Sequence, residues 1–221
     1  MARAAGATVD DDRPGRWVVE PGPLAARAVE VEPDLSSAAP FLAAAMATAG
    51  TVTVRRWPRV STQPGALLPA LFEQMGGTAV VDGDGLTLTG PGRLSGIDAD
   101  LHDIGELTPV LAALCALATT PSRLRGVAHL RLHETDRLAA LACEIGRLGG
   151  DATDTDDGLE IRPSRLRPAL LHTYDDHRMV MAAAVLGLAV PGVTVENVAT
   201  TAKTFPDFPA VWAAAISGAT G

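Results

Sequence analysis

The sequence predicts an α/β domain of three helix–strand–helix–hairpin repeats, with the helices buried and mixed sheets outside. Three observations predict it. Landmarks recur about 70 residues apart: Met75-Gly76-Gly77 is answered by Leu148-Gly149-Gly150, and Asp84-Gly85-Leu86 by Asp157-Gly158-Leu159, and repetition at such a period marks a repeated architecture. The helical stretches are apolar almost all round; residues 110–118 carry no charge, which suits a helix enclosed by other structure. Between them lie short β-branched runs bounded by glycine and aspartate, the pattern of strands and tight turns.

Residues 1–33 are rich in Arg, Asp and Pro, with strands expected at 16–20 and 28–32. They read as the tail end of a preceding unit, because two strands without a covering helix cannot bury a core. The repeats follow within residues 34–221, over about 28–90, 96–163 and 169–217. In the first, Asp34-Leu35-Ser36-Ser37 opens an alanine-rich helix through Phe41, Leu42 and Met46 that ends at Gly50. A strand at 51–54, a helix at 66–75 and a hairpin of 78–81 with 86–89 complete it. The second repeat runs through a helix at 105–117, a strand at 122–127, a helix at 133–148 and a hairpin of 151–155 with 159–162. Leu138, Leu141, Ile145 and Leu148 form one face of its second helix, and Gly149-Gly150 stops it. The third has a helix at 176–188, a strand at 193–198 and a helix at 208–216. A strand precedes each unit, at 29–32, 96–99 and 170–173.

Of the 221 residues, 47% are hydrophobic and only 4% aromatic, so alanine, valine and leucine build a real core and disorder is excluded. The net charge of -8 argues against a nucleic-acid partner, which wants a basic face. Local arginines can still gather a small anion. Cys115 and Cys143 lie in apolar helical patterns and read as buried free thiols rather than a disulfide framework. No leader pattern opens the sequence, and the longest apolar run, 179–190, falls short of the roughly 18 residues a membrane helix needs. A reducing, cytoplasmic setting is expected, with no membrane partner.

The polar residues that break the pattern fall at repeat junctions. His102-Asp103-Ile104-Gly105-Glu106, the run from His133 to Arg137, Tyr174-Asp175-Asp176-His177-Arg178 and Ala202-Lys203-Thr204-Phe205-Pro206-Asp207 each stand at a helix start. His133, Glu134 and Arg137 have the three- and four-residue spacing that lets them project together from a first helical turn. Each group alone is more often a cap or a surface ion pair. Their coincidence at four helix starts favours a site, since a helix N-terminus attracts anions. Arg137, Arg178 and Lys203 then form a clamp for phosphate or carboxylate, and Glu106, Glu134, His133 and His177 are proton-transfer candidates.

LHETDRLAAL, TYDDHRMVMAAAVLGL and TAKTFPDFPAVW, with DLSSAAPFLAAA, resemble the C-terminal half of the 5-enolpyruvylshikimate-3-phosphate (EPSP) synthase family, the 3-phosphoshikimate 1-carboxyvinyltransferases. The resemblance covers nearly the whole chain. It implies an inside-out α/β enolpyruvyl transferase fold, two such three-repeat domains closing over their substrates. The implied activity moves the enolpyruvyl group of phosphoenolpyruvate to the 5-hydroxyl of shikimate-3-phosphate through a tetrahedral intermediate, with release of phosphate and no metal or organic cofactor. By motif, Glu106 takes the place of a proton acceptor that is commonly Asp and contacts shikimate-3-phosphate. His133 stands where Lys is common, near the shikimate-3-phosphate hydroxyl, and Glu134 matches the family's proton-transfer glutamate. Arg137, Arg178 and Lys203 match residues that grip phosphoenolpyruvate, with His177 beside them.

The resemblance further implies that residues 1–33 are the last strands of a missing first domain and the crossover out of it. The Lys, Arg and Ser-Ser-Gln contacts of that half are not found here, so the chain is expected to be a monomeric fragment, inactive alone. Two alternatives remain: the related enolpyruvyl transferase acting on UDP-N-acetylglucosamine, and a non-catalytic or split-protein domain that binds phosphorylated ligands or pairs with a separate N-terminal half.

Overall fold

The computed structural model describes residues 1–218. It divides into two compact units, Met1–Glu32 and Pro33–Gly221. The first holds one antiparallel pair, β1 (Val9–Asp10) and β2 (Val18–Val19), with Val9 opposite Val19. Arg3 braces it by donating to the Val9 carbonyl and to Asp11. No residue of this unit is buried. The strand expected at 16–20 shrinks to two residues, and 28–32 forms no strand. Val29 and Val31 stay exposed, and a strand without a ladder partner leaves its backbone groups to water.

The second unit opens with α1 (Leu35–Thr48), capped by the Asp34 carboxylate, which accepts from the Ser36 and Ser37 amides. Next come β3 (Thr51–Arg55), α2 (Leu68–Gln74), β4 (Thr78–Val81) and β5 (Gly85–Thr89). The second repeat is β6 (Asp98–Asp100), a 3-10 segment His102–Leu107, α3 (Thr108–Leu117), β7 (Ser122–Arg125), a 3-10 segment Ala128–Leu132, α4 (Arg137–Arg147), β8 (Asp151–Thr155) and β9 (Gly158–Arg162). The third is β10 (Leu170–Leu171), α5 (His177–Ala189), β11 (Thr194–Val195), a 3-10 segment Val198–Lys203 and α6 (Phe208–Ile216).

The sheets differ between repeats. The first is antiparallel, in the order β3-β5-β4, and the second is mixed, β6-β7-β9-β8, with β6 parallel to β7. The third is the parallel pair β10-β11. A hairpin whose return strand pairs antiparallel with the strand before it recurs in the first two, β5 with β3 and β9 with β7, and the parallel crossover pair in the last two. The helices lie inside. α1, α3 and α5 pack on one another, and every residue of α3 from Thr108 to Ala116 is buried. Apolar burial drives this arrangement, at roughly 1.5–3 kcal/mol for each large side chain. α4 is amphipathic instead, burying Leu138, Leu141 and Ile145. Cys115 is buried, with its thiol pKa pushed up to about 12 by desolvation. Cys143 is exposed, contrary to expectation, because it lies on the solvent side of α4.

Candidate functional site

The first turns of α1 and α5 and the 3-10 lead-in to α3 touch one another. Arg178, at the start of α5, is buried and donates to the Ser36 carbonyl at 3.1 Å and to Glu106 Oε2 at 3.2 Å. Ser36, in the first turn of α1, donates its hydroxyl to Glu106 Oε1 at 2.5 Å. Glu106 precedes α3 in its 3-10 lead-in. Three helix starts thus meet at an arginine, a serine and a glutamate. Burial lowers the Arg178 pKa, opposed by the charges of Glu106 and Asp34, and a guanidinium in such a place remains protonated.

A second group adjoins it through the consecutive residues Asp176, His177 and Arg178. Asp176, fully buried, accepts from Arg137 Nε at 2.7 Å and Nη2 at 3.1 Å, and from the Arg178 amide at 2.8 Å. Its carboxylate therefore both caps α5 and holds Arg137 in a two-point pair. Burial pushes the Asp176 pKa up, but the Arg137 hydrogen bonds and charge outweigh it and leave the group below its ordinary value. Removing one partner would strand a buried charge, at about 3–5 kcal/mol.

His177 Nδ1 lies 3.3 Å from Glu134 Oε1 without hydrogen-bond geometry. Lys203 Nζ donates to the Asp175 carbonyl at 2.6 Å and stands 3.5 Å from Glu134 Oε2. Arg137 Nη1 reaches His133 Nδ1 at 3.4 Å. Donation by Arg137 makes Nδ1 an acceptor and leaves Nε2–H free to donate. Both histidines are lowered from 6.5, by burial first and then by the nearest arginine, Arg137 for His133 and Arg178 for His177. Each is neutral near pH 7 as a result.

All seven residues expected from sequence thus fall in this contact network. One geometric expectation fails. His133 and Glu134 do not stand in the first turn of α4, which begins at Arg137. Asp136 is the cap, accepting from the Ala139 amide at 3.0 Å, and Arg131 grips Asp136, Asp154 and the Thr155 carbonyl. His133 is extended, with φ -82 and ψ -155, so His133 and Glu134 cross in front of the helix.

Sequence reasoning missed Ser36 and Asp176 as site residues, though both lay in the quoted strings as helix openers. It also passed over His129. The rings of His102, His129 and His133 form a row with centroids 5.9 and 6.0 Å apart. Gly105 leaves room for it, since a Cβ there would meet His129 Nε2 at 2.4 Å. Glu134, Asp176 and His177 place ligand atoms within 4.8 Å of one another, but Arg137 already takes both Asp176 oxygens and Lys203 faces Glu134. Cations of the chain itself answer these carboxylates, a poor environment for a metal ion. No helix among the described residues is long and apolar enough to cross a membrane.

The model of the EPSP synthase (3-phosphoshikimate 1-carboxyvinyltransferase) family matches residues 1–212. The chain belongs to this family. Among solved structures, it is similar to an EPSP synthase from Acinetobacter baumannii, with 26% identity and a TM-score of 0.80 over 97% of this chain and 53% of that one. A second Acinetobacter baumannii EPSP synthase structure matches at 24% identity and TM-score 0.75, over 97% and 52%. The enolpyruvyl transferase NikO from Streptomyces tendae shares the fold, at 23% identity and TM-score 0.70, over 96% and 50%. The chain spans about half the length of these proteins. The α/β enolpyruvyl transferase architecture of buried helices and outer sheets is therefore that of EPSP synthases.

Proposed function

We propose that residues 34–221 supply one wall of a site that transfers the enolpyruvyl group of phosphoenolpyruvate to the 5-hydroxyl of shikimate-3-phosphate. The observation that carries this reading is buried Arg178, fixed between Ser36 and Glu106 beside the Arg137–Asp176 pair in a chain of the EPSP synthase family. Two rigid guanidinium groups and Lys203 suit the phosphate and carboxylate of phosphoenolpyruvate. Glu106 accepts the proton of the attacking hydroxyl as its oxygen bonds to C2. Glu134 delivers a proton to the methylene carbon, giving the tetrahedral intermediate. Loss of a methyl proton and of phosphate then restores the double bond. His133, neutral and with Nε2–H free, donates a hydrogen bond near the shikimate hydroxyl where other members place a charge.

Glu106 and Glu134 are each 37% exposed and Lys203 51%, so the network lies on an open face. Addition and elimination need reactants held together away from water. In this reading a second domain closes the site, residues 1–33 belong to the crossover towards it, and the 221-residue chain alone turns nothing over.

The test combines phosphate release with an NMR titration of the isolated chain. Expected are no turnover from phosphoenolpyruvate and shikimate-3-phosphate, an intact circular dichroism spectrum, and phosphoenolpyruvate-dependent shifts at His177, Arg178 and Lys203 that vanish in Arg178→Ala. Shifts confined to other parts of the unit, or none, would overturn the proposed site. Turnover that disappears in Glu134→Gln would overturn the need for a second wall.

A further inference from the structure

Glu144 is a buried carboxylate with no part in the chemistry above. It sits on α4 two helical turns after Arg137 with its side chain 4% exposed, and residues at that spacing share a helix face. Its Oε1 accepts from the Tyr174 hydroxyl at 2.7 Å. Its Oε2 accepts from the His172 amide at 2.9 Å and Arg147 Nε at 3.1 Å. A buried carboxylate is costly unless it is so satisfied.

What Glu144 holds is unusual backbone. Tyr174 and Asp175 have φ of 55 and 56, a left-handed conformation that non-glycine residues adopt only where their surroundings enforce it, often at functional sites. This turn places the cations of the site. The Asp175 carbonyl accepts from Lys203 at 2.6 Å and from the Thr200 hydroxyl at 2.8 Å, and the Asp175 side chain accepts from Asn197. The next residue, Asp176, holds Arg137 and caps α5 ahead of Arg178. One face of α4 therefore grips the two sides of the turn, through Arg137 to Asp176 and through Glu144 to His172 and Tyr174.

We propose that Glu144 is a positioning residue of the phosphoenolpyruvate site: through Tyr174 and His172 it locks the left-handed Tyr174–Asp175 turn, and so sets Lys203 and the first residues of α5. The proposal rests on the functional reading above. Lys203 bonds directly to this turn and α5 starts from it, whereas the assigned shikimate-3-phosphate contacts are tied to it only at one remove, Glu106 through Arg178 and His133 through Arg137, so loosening the turn weakens phosphoenolpyruvate binding more.

Glu144→Gln and Tyr174→Phe test this in the 221-residue chain, with phosphoenolpyruvate and shikimate-3-phosphate as separate probes. Tyr174 is the only tyrosine, so the phenolate absorbance band follows it alone. Burial and the Glu144 hydrogen bond raise its pKa, and Glu144→Gln should bring the titration down. Displacing positioned groups costs affinity steeply, so phosphoenolpyruvate binding should weaken about ten-fold or more in both variants, with shikimate-3-phosphate binding held within about two-fold. Affinities that fall together would mean a purely structural role, and unchanged phosphoenolpyruvate affinity would remove any role in the site; either overturns the proposal. If the parent chain binds no phosphoenolpyruvate, the functional reading fails instead. The Lys203, His177 and Arg178 NMR signals of Tyr174→Phe then decide: displaced signals uphold the positioning role, and unmoved ones overturn it.

Discussion

His177 and His133 link the site to the stability of the fold. Both are lowered from 6.5 by burial and by neighbouring arginines. Above that value both are neutral, folded or unfolded, and protonation exerts no pull. As the pH falls through 6.5 the unfolded chain takes up protons that the folded chain still refuses, and stability drops until the lowered folded values are passed. Urea midpoints should therefore fall between about pH 7 and pH 5 more steeply in the parent chain than in a His133→Asn/His177→Asn variant. Equal slopes would show that other groups govern the transition. At this scale, residue types were legible and partners were not. Asp34 could be read as a cap because its bonds reach only two and three residues along the chain. The partner of Asp176 is Arg137, 39 residues away, and no local pattern encodes that distance.

At the scale of elements, the repeated Asp-Gly-Leu signature has a steric cause. A Cβ on Gly158 would lie 1.8 Å from the Leu124 carbonyl oxygen, and one on Gly85 would lie 2.1 Å from that of Val54. In both repeats the hairpin's return strand starts against the backbone of the preceding strand it pairs with, β3 in the first and β7 in the second, where only glycine fits. Gly158→Ala should destabilise the fold by roughly 1–3 kcal/mol or more in urea unfolding, as overpacking against backbone does. Gly83→Ala, with nothing within 4 Å of its Cβ, serves as the neutral comparison; equal effects would show that the close approach relaxes freely. The α6 bounds agree with the sequence reading, and α4 starts four residues later than its periodicity suggested, at Arg137 rather than 133. The delay comes from Asp136, which Arg131 fixes by a bond that belongs to the fold rather than to helix propensity.

At the scale of the molecule, the core belongs to one unit. All buried apolar side chains lie beyond residue 33, from Leu35 onward, and residues 1–32 contribute none. A chain beginning at Pro33 should therefore keep a cooperative urea transition, with a steepness close to that of the parent, because that slope follows the surface buried. A broadened transition, or loss of the far-ultraviolet signal, would show that the first segment is needed for folding. The open face of the site belongs to this scale as well, since half-exposed Glu106, Glu134 and Lys203 make a wall rather than a pocket.

The sequence alone determined the repeat, the buried helices, the hairpin turns and the kinds of charged group at each junction. These follow from periodicity, glycine placement and side-chain chemistry within a few residues of one another. Long-range packing is what puts Arg178 between Ser36 and Glu106, gives Arg137 to Asp176 and carries His133 across the front of its helix. Those pairings join residues 39 to 142 positions apart. They are set by how α1, α3, α4 and α5 pack against one another, a property of the whole core that no single stretch of sequence contains.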